Sequence, residues 1–149
     1  MIVYRISKQQ YINDLSGFGA ANFPGRWNSK GVYVLYTAAT PSLALLESVV
    51  HMDKIVQSEY SMARIFIPDD SFVLLQESSL PEGWAAFPPP EGLKKFGDNF
   101  IRGQKALALK LPSSIMPEDY NLLINPAHPE FKNVKIESVR DITIDDRLL

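Results

Sequence analysis

Glu47 stands in Leu43-Ala44-Leu45-Leu46-Glu47-Ser48-Val49-Val50, a run that is apolar on most sides. A carboxylate in such surroundings needs a partner, or its protonation equilibrium shifts. Carboxylates perturbed in this way gather at functional sites, though not only there. The other reading is a helix whose single polar stripe carries Thr40, Glu47 and His51 to solvent. Glu47 and His51 are four residues apart and share a face, either as a catalytic pair or as a plain surface pair. Arg26 lies in Gly25-Arg26-Trp27-Asn28-Ser29-Lys30-Gly31, just before a β-rich run. Its planar fork suits a phosphate or a carboxylate, and stacking on Trp27 or pairing with a surface acid is the other reading. Trp27 itself reads as a core anchor.

Tyr36 ends the strand that leads into the Glu47 helix, and a strand-to-helix turn can bring both side chains to one cleft. A half-buried strand tyrosine has the same signature. Ser113 and Ser114 follow Pro112 at the end of an apolar strand, where a serine usually makes a local hydrogen bond. The sequence has no Gly-x-Ser-x-Gly elbow, which argues against a serine nucleophile. His128, in Asn125-Pro126-Ala127-His128-Pro129, reads as a turn residue bonded to backbone. There is no Gly-x-Gly-x-x-Gly fingerprint and no Walker loop, so phosphate recognition would fall to arginine.

The elements that must position these residues can be read from pattern. Ile2 to Ile6 is a short strand. Tyr11 to Asn28, with Gly17, Gly19, Pro24 and Gly25, is irregular or a short helix. Val32 to Thr37 is a strand. Thr40 as N-cap and Pro41 at the first position open the clearest helix, with Leu43, Leu46 and Val50 at helical spacing. Met62 to Ile67 and Phe72 to Leu75 are strands divided by a turn at Pro68-Asp69-Asp70. Leu80 to Gly92, with Trp84 and three consecutive prolines, is a surface excursion. Phe96 to Lys105 is a helix weakened by Gly97 and Gly103. Ala106 to Leu111, Asn121 to Ile124, Val134 to Val139 and Ile142 to Ile144 are strands. Strands outnumber helices without regular alternation. That predicts an α+β fold on a mixed, mainly antiparallel sheet with few helices, spanning 1–149 as one domain.

Composition narrows the chemistry. The 149 residues include no Cys and two His, which removes thiol nucleophiles, disulfides and zinc sites built on thiolates or on three histidines. Fifteen basic against seventeen acidic residues give a net charge of −2, which argues against direct nucleic-acid binding. From Ile65 to Leu93 there is no Lys or Arg, and a basic stretch from Lys94 to Lys110 follows, so the two could pair within the fold or across a dimer. No apolar run approaches 18 residues and the start lacks a signal-peptide pattern, so the expectation is a cytoplasmic protein without a membrane span.

The same residues carry a family resemblance. Gly25-Arg26-Trp27-Asn28-Ser29-Lys30-Gly31, Leu35-Tyr36-Thr37 and Leu43-Ala44-Leu45-Leu46-Glu47 resemble the opening half of the RES domain, named for an Arg, a Glu and a Ser. Leu111-Pro112-Ser113-Ser114, Asn121-Leu122-Leu123-Ile124-Asn125-Pro126-Ala127-His128-Pro129 and Asp146-Arg147-Leu148 resemble its closing half. The order is kept nearly end to end. One departure is visible: family members often carry a Gly doublet before the Arg-Trp-Asn, and here Pro24-Gly25 stands there. Ser113, directly after Pro112, is the better match for the site serine.

The resemblance implies the toxin of a bacterial toxin–antitoxin pair, with an ADP-ribosyltransferase-like fold and an activity that consumes NAD. It implies Arg26, Tyr36, Glu47 and Ser113 as the site, with Arg5 as a second arginine because Tyr4-Arg5 resembles the N-terminal strand. It implies an Xre-type helix-turn-helix antitoxin as partner and a homodimer inside a larger complex. NAD is then substrate and no further cofactor is expected. Nicotinamide leaves from a cationic ring nitrogen and departs neutral, so no general acid is needed, unlike an ordinary glycosidase. One carboxylate can meet the oxocarbenium-like charge on the ribose. On that scheme Arg26 engages the pyrophosphate, Tyr36 packs on the nicotinamide or its ribose, and Ser113 hydrogen-bonds the same region. Three other outcomes stay open: a protein ADP-ribosyltransferase, a catalytically inactive antitoxin-binding module, and an RNA-cutting toxin.

Overall fold

In the computed structural model, which describes residues 1–52 and 59–149, seven strands form one sheet. They are β1 (Ile2–Lys8), β2 (Leu35–Ala38), β3 (Tyr60–Phe66), β4 (Phe72–Leu74), β5 (Ala108–Pro112), β6 (Tyr120–Ile124) and β7 (Lys135–Ile142). Their order across the sheet is β4-β5-β6-β2-β1-β3-β7. Only β4 and β5 run parallel; every other pairing is antiparallel. Among the described residues the α-helices are α1 (Phe18–Asn22), α2 (Pro41–Val49) and α3 (Leu93–Gly103). This is the expected α+β fold on a mixed, mainly antiparallel sheet.

Strand alternation sorts the side chains onto two faces. One face carries Val3, Leu35, Ala63, Ile65, Leu122 and Ile124, covered by Ile12, Leu15, Phe131 and Val134. The other carries Tyr4, Ile6, Tyr36, Ala38, Leu109, Leu111, Asn121 and Leu123. There α2 packs through Leu43, Ala44 and Leu46, and α3 through Leu93, Phe96, Phe100 and Ile101. Both long helices therefore lie on one side of the sheet, and the Glu47 side chain belongs to that side.

Three local outcomes differ from the sequence reading. The strand expected from Val32 begins only at Leu35, because the Asn28 amide holds the Val32 carbonyl and Val32 N–H closes a turn onto Ser29. In place of two strands, Val134–Val139 and Ile142–Ile144, there is one, β7, which runs from Lys135 through the Arg140-Asp141 step to Ile142 on an edge open to solvent, and Val134, Thr143 and Ile144 lie outside it. The excursion from Leu80 to Gly92 is not all surface. Leu80 and Trp84 are buried, and the Trp84 ring packs on Trp27 at 6.4 Å. Helix α3 runs through Gly97, and there glycine is required: a Cβ would lie 1.8 Å from the Trp27 carbonyl oxygen. No ion pair joins the Ile65–Leu93 segment to the Lys94–Lys110 segment among the described residues.

Candidate functional site

Helix α2 is anchored at its start to the start of β6. Thr40 Oγ1 accepts the Leu43 N–H at 3.2 Å as the N-cap and donates to Asp119 Oδ2 at 2.7 Å. The Ala39 N–H adds a bond to the Tyr120 carbonyl. With its origin fixed, α2 carries the half-buried Glu47 over β5 and β6. Glu47 Oε1 accepts from Ser113 Oγ at 2.8 Å and from Asn121 Nδ2 at 2.7 Å. The buried-carboxylate problem posed by the sequence is thus met by two neutral donors.

Ser113 is fully buried just beyond β5. Its Oγ accepts the N–H groups of Ile115 and Met116 at 3.1 and 3.2 Å, so both lone pairs are engaged and its one hydrogen points to Glu47. A hydroxyl used in this way orients a carboxylate and is not presented as a nucleophile. Ser113, and not Ser114, is the serine that reaches Glu47.

The Gly25–Ser29 loop is built around Asn28, which is fully buried. Asn28 Oδ1 accepts from the Gly25 N–H and from the Tyr36 hydroxyl, at 2.8 and 2.7 Å. Its amide donates to the carbonyls of Ala20, Ser29 and Val32. The Tyr36 oxygen accepts the Trp27 N–H at 3.1 Å. Burial pushes the Tyr36 phenol well above its ordinary range, with the Trp27 N–H opposing in part. Gly25 lies against the phenol: a Cβ there would sit 2.8 Å from the hydroxyl. Asp98 of α3 braces the same loop by accepting from the Ser29 N–H and hydroxyl, at 2.9 and 2.6 Å.

Arg26 Nη1 donates to the carbonyls of Trp84 and Ala86 at 2.9 and 2.8 Å, so the arginine clasps the 80–92 excursion. Its guanidinium is held somewhat below its usual value, first by burial, with the charges of Glu47 and Tyr36 opposing. Arg26 is thus close enough to feel Glu47, although no ion pair joins them.

The structure gathers Arg26, Tyr36, Glu47 and Ser113 on the helix-bearing side of the sheet. It does not bring Arg5 there. Arg5 pairs in register with Ala63 on the opposite face, and its Nη1 donates to the carbonyls of Tyr11 and Ile12. His51 is exposed and makes no hydrogen bond or ion pair with Glu47 among the described residues. His128 Nδ1 accepts the Glu130 N–H and caps a short helical turn, as the turn reading expects. Sequence reasoning missed Asn121, Asn28 and Asp98. Asn121 carried one usable signal: in strand alternation it shares the buried face of Leu123, where an apolar residue is expected.

Residues 2–145 match the RES domain. The chain is 36% identical to Toxin Res of Yersinia enterocolitica over 99% of both chains. It is 38% identical to Toxin Res of Pseudomonas putida, also over 99% of both. It is 39% identical to the Prs ADP-ribosylating toxin of Sphingobium over 92% of this chain and 88% of that one. Among solved structures, the Mycobacterium tuberculosis MbcT–MbcA toxin–antitoxin complex contains a chain of similar fold. Its TM-score is 0.74 at 17% identity, covering 95% of this chain and 84% of that one. With a family match of this extent and relatives this similar, the chain belongs to the RES domain family.

Proposed function

We propose that this chain is a toxin of a bacterial toxin–antitoxin pair that breaks the nicotinamide–ribose bond of NAD. The observation that carries the reading is Glu47, a half-buried carboxylate fixed by Ser113 and Asn121 on a face shared with Arg26 and Tyr36. The C1′–N bond breaks, its electron pair passes to the ring nitrogen, and neutral nicotinamide leaves. The cationic character that remains on the ribose is met by Glu47. An acceptor oxygen then bonds to C1′ and loses its proton to solvent. Arg26 has Nη2 and Nε besides the Nη1 that clasps the excursion, and these suit the pyrophosphate. The Tyr36 hydroxyl is engaged by protein, so its contact with a ligand is through the ring.

Water or inorganic phosphate is the acceptor in this reading, and NAD is substrate with no further cofactor. Purified protein freed of any antitoxin releases nicotinamide from NAD in steady state, with a phosphate dependence that identifies the acceptor. Failure of both the wild-type and Glu47→Ala chains to consume NAD would sink it. The Sphingobium relative's name favours one second reading, ADP-ribosyl transfer to a protein. In that case nicotinamide release needs an added acceptor protein, which becomes labelled from labelled NAD. An Xre-type helix-turn-helix antitoxin is the proposed partner, the cytoplasm the proposed place of action, and a homodimer the proposed unit of the larger complex.

A further inference from the structure

We infer that Asn121 is a positioning residue which, together with Ser113, holds one oxygen of Glu47 and so turns the other toward the reacting ribose; this rests on the NAD-cleaving reading above. Asn121 is a half-buried amide set among buried apolar neighbours in the sheet. Its register neighbours on that face are Ala38 of β2 and Leu111 of β5, and Leu123 follows it on its own strand. An amide there is costly to desolvate unless it is bonded. Its Nδ2 is bonded, at 2.7 Å, to Glu47 Oε1.

The second donor falls on the same oxygen. Ser113 cannot redirect its hydrogen, because the Ile115 and Met116 N–H groups occupy its lone pairs. Two donors from adjacent strands on one carboxylate oxygen fix the rotation of the group about its last bond. They commit Oε1 to protein and leave Oε2 without a hydrogen-bond donor among the described residues. Both donors are neutral. A lysine or arginine at position 121 would hold Glu47 as firmly, but it would cancel the negative charge that the ribose cation requires. An amide and a hydroxyl orient the carboxylate and leave its charge in place. Small Ala38 opposite Asn121 gives the amide room to rise toward α2.

The test compares wild type, Glu47→Gln, Asn121→Ala and Asn121→Leu in nicotinamide release, with kcat and KM separated and thermal melting recorded for each. Asn121→Leu refills the position with apolar volume, so a simple packing defect is removed. The expected result is a fall in kcat on the order of 10- to 100-fold in both Asn121 variants, the range found when the hydrogen-bond partner that orients a metal-binding side chain is lost. KM stays within about threefold and the melting temperature of Asn121→Leu stays at that of wild type. An active wild type with Asn121→Leu within twofold of its kcat overturns the role of Asn121 and leaves the NAD reading standing. A parallel loss of melting temperature and rise in KM in Asn121→Leu also overturns it, since that marks a structural residue. A wild type no faster than Glu47→Gln overturns both.

Discussion

Ser113 donates to Glu47 across a gap of 66 residues, joining the end of β5 to the second turn of α2. The bond ties a helix to a strand end that is itself held by the Asp119 carbonyl and the Ile115 and Met116 amides. The position of the carboxylate is therefore a property of the sheet as well as of the helix.

Glu47→Gln keeps shape and removes charge. Glu47 is half-buried and its bonds to Ser113 and Asn121 can be accepted by an amide oxygen, so the fold survives. Nicotinamide release falls on the order of 100- to 1,000-fold, the magnitude associated with removing one charge-stabilising group from a reaction centre. A steady-state assay beside a urea titration separates the two effects.

Ser113→Ala acts on both stability and rate. It leaves the Ile115 and Met116 N–H groups without their acceptor, at about 1–3 kcal/mol. Equilibrium unfolding in urea shows that loss in the midpoint. Turnover falls as well, because Glu47 keeps only one orienting donor.

Gly97→Ala and Gly103→Ala, six residues apart on one helix, move in opposite directions. At Gly97 the new methyl meets the Trp27 carbonyl, so α3 must shift from the Arg26 loop at about 1–3 kcal/mol or more. At Gly103 nothing lies within 4 Å, and alanine gains helix propensity of about 0.5–1 kcal/mol. Paired thermal melts of the two variants give the sign directly.

Alkaline stability carries the signature of Tyr36. Its phenol has an ordinary value of 10.0 and is raised in the folded chain, first by burial. The unfolded chain therefore loses this proton first as pH rises. Stability is full below about pH 10 and falls above it. Urea midpoints measured from pH 8 to 11.5 should decline at the alkaline end. In Tyr36→Phe, which starts lower because Asn28 and Trp27 lose a partner, that decline is shallower.

The helix that carries Glu47 was legible because its start signals are local: Thr40 caps it and Pro41 opens it, and the observed bounds are Pro41–Val49. Glu47 itself stood out as a charge amid apolar residues. Tyr36 and Ser113 became site candidates only through resemblance, since a strand tyrosine and a turn serine have ordinary structural explanations. Arg5 shows the limit of that route. Adjacent strand residues point to opposite faces, and the Tyr4-Arg5 pair has its tyrosine, not its arginine, on the site face. Asn28 and Asp98 were illegible for another reason. Asp98 bonds Ser29 across 69 residues, a span no local pattern announces, and the Asn28 partners, though within eight residues, follow an irregular loop with no repeat to betray them. The late start of β2 follows from the same Asn28 contacts.

The clasp between Arg26 and the 80–92 excursion is made to main-chain oxygens at Trp84 and Ala86. A carbonyl is the same whichever side chain is attached to it. Evolutionary drift in this proline-rich stretch can therefore exchange Ala86 or its exposed neighbour Phe87 freely, provided Trp84 keeps its seat on Trp27. Changes of length are another matter, because one inserted or deleted residue moves the carbonyls away from the guanidinium. Homologous sequences should show this stretch as variable in letters and constant in count, the reverse of what its loop-like composition suggests.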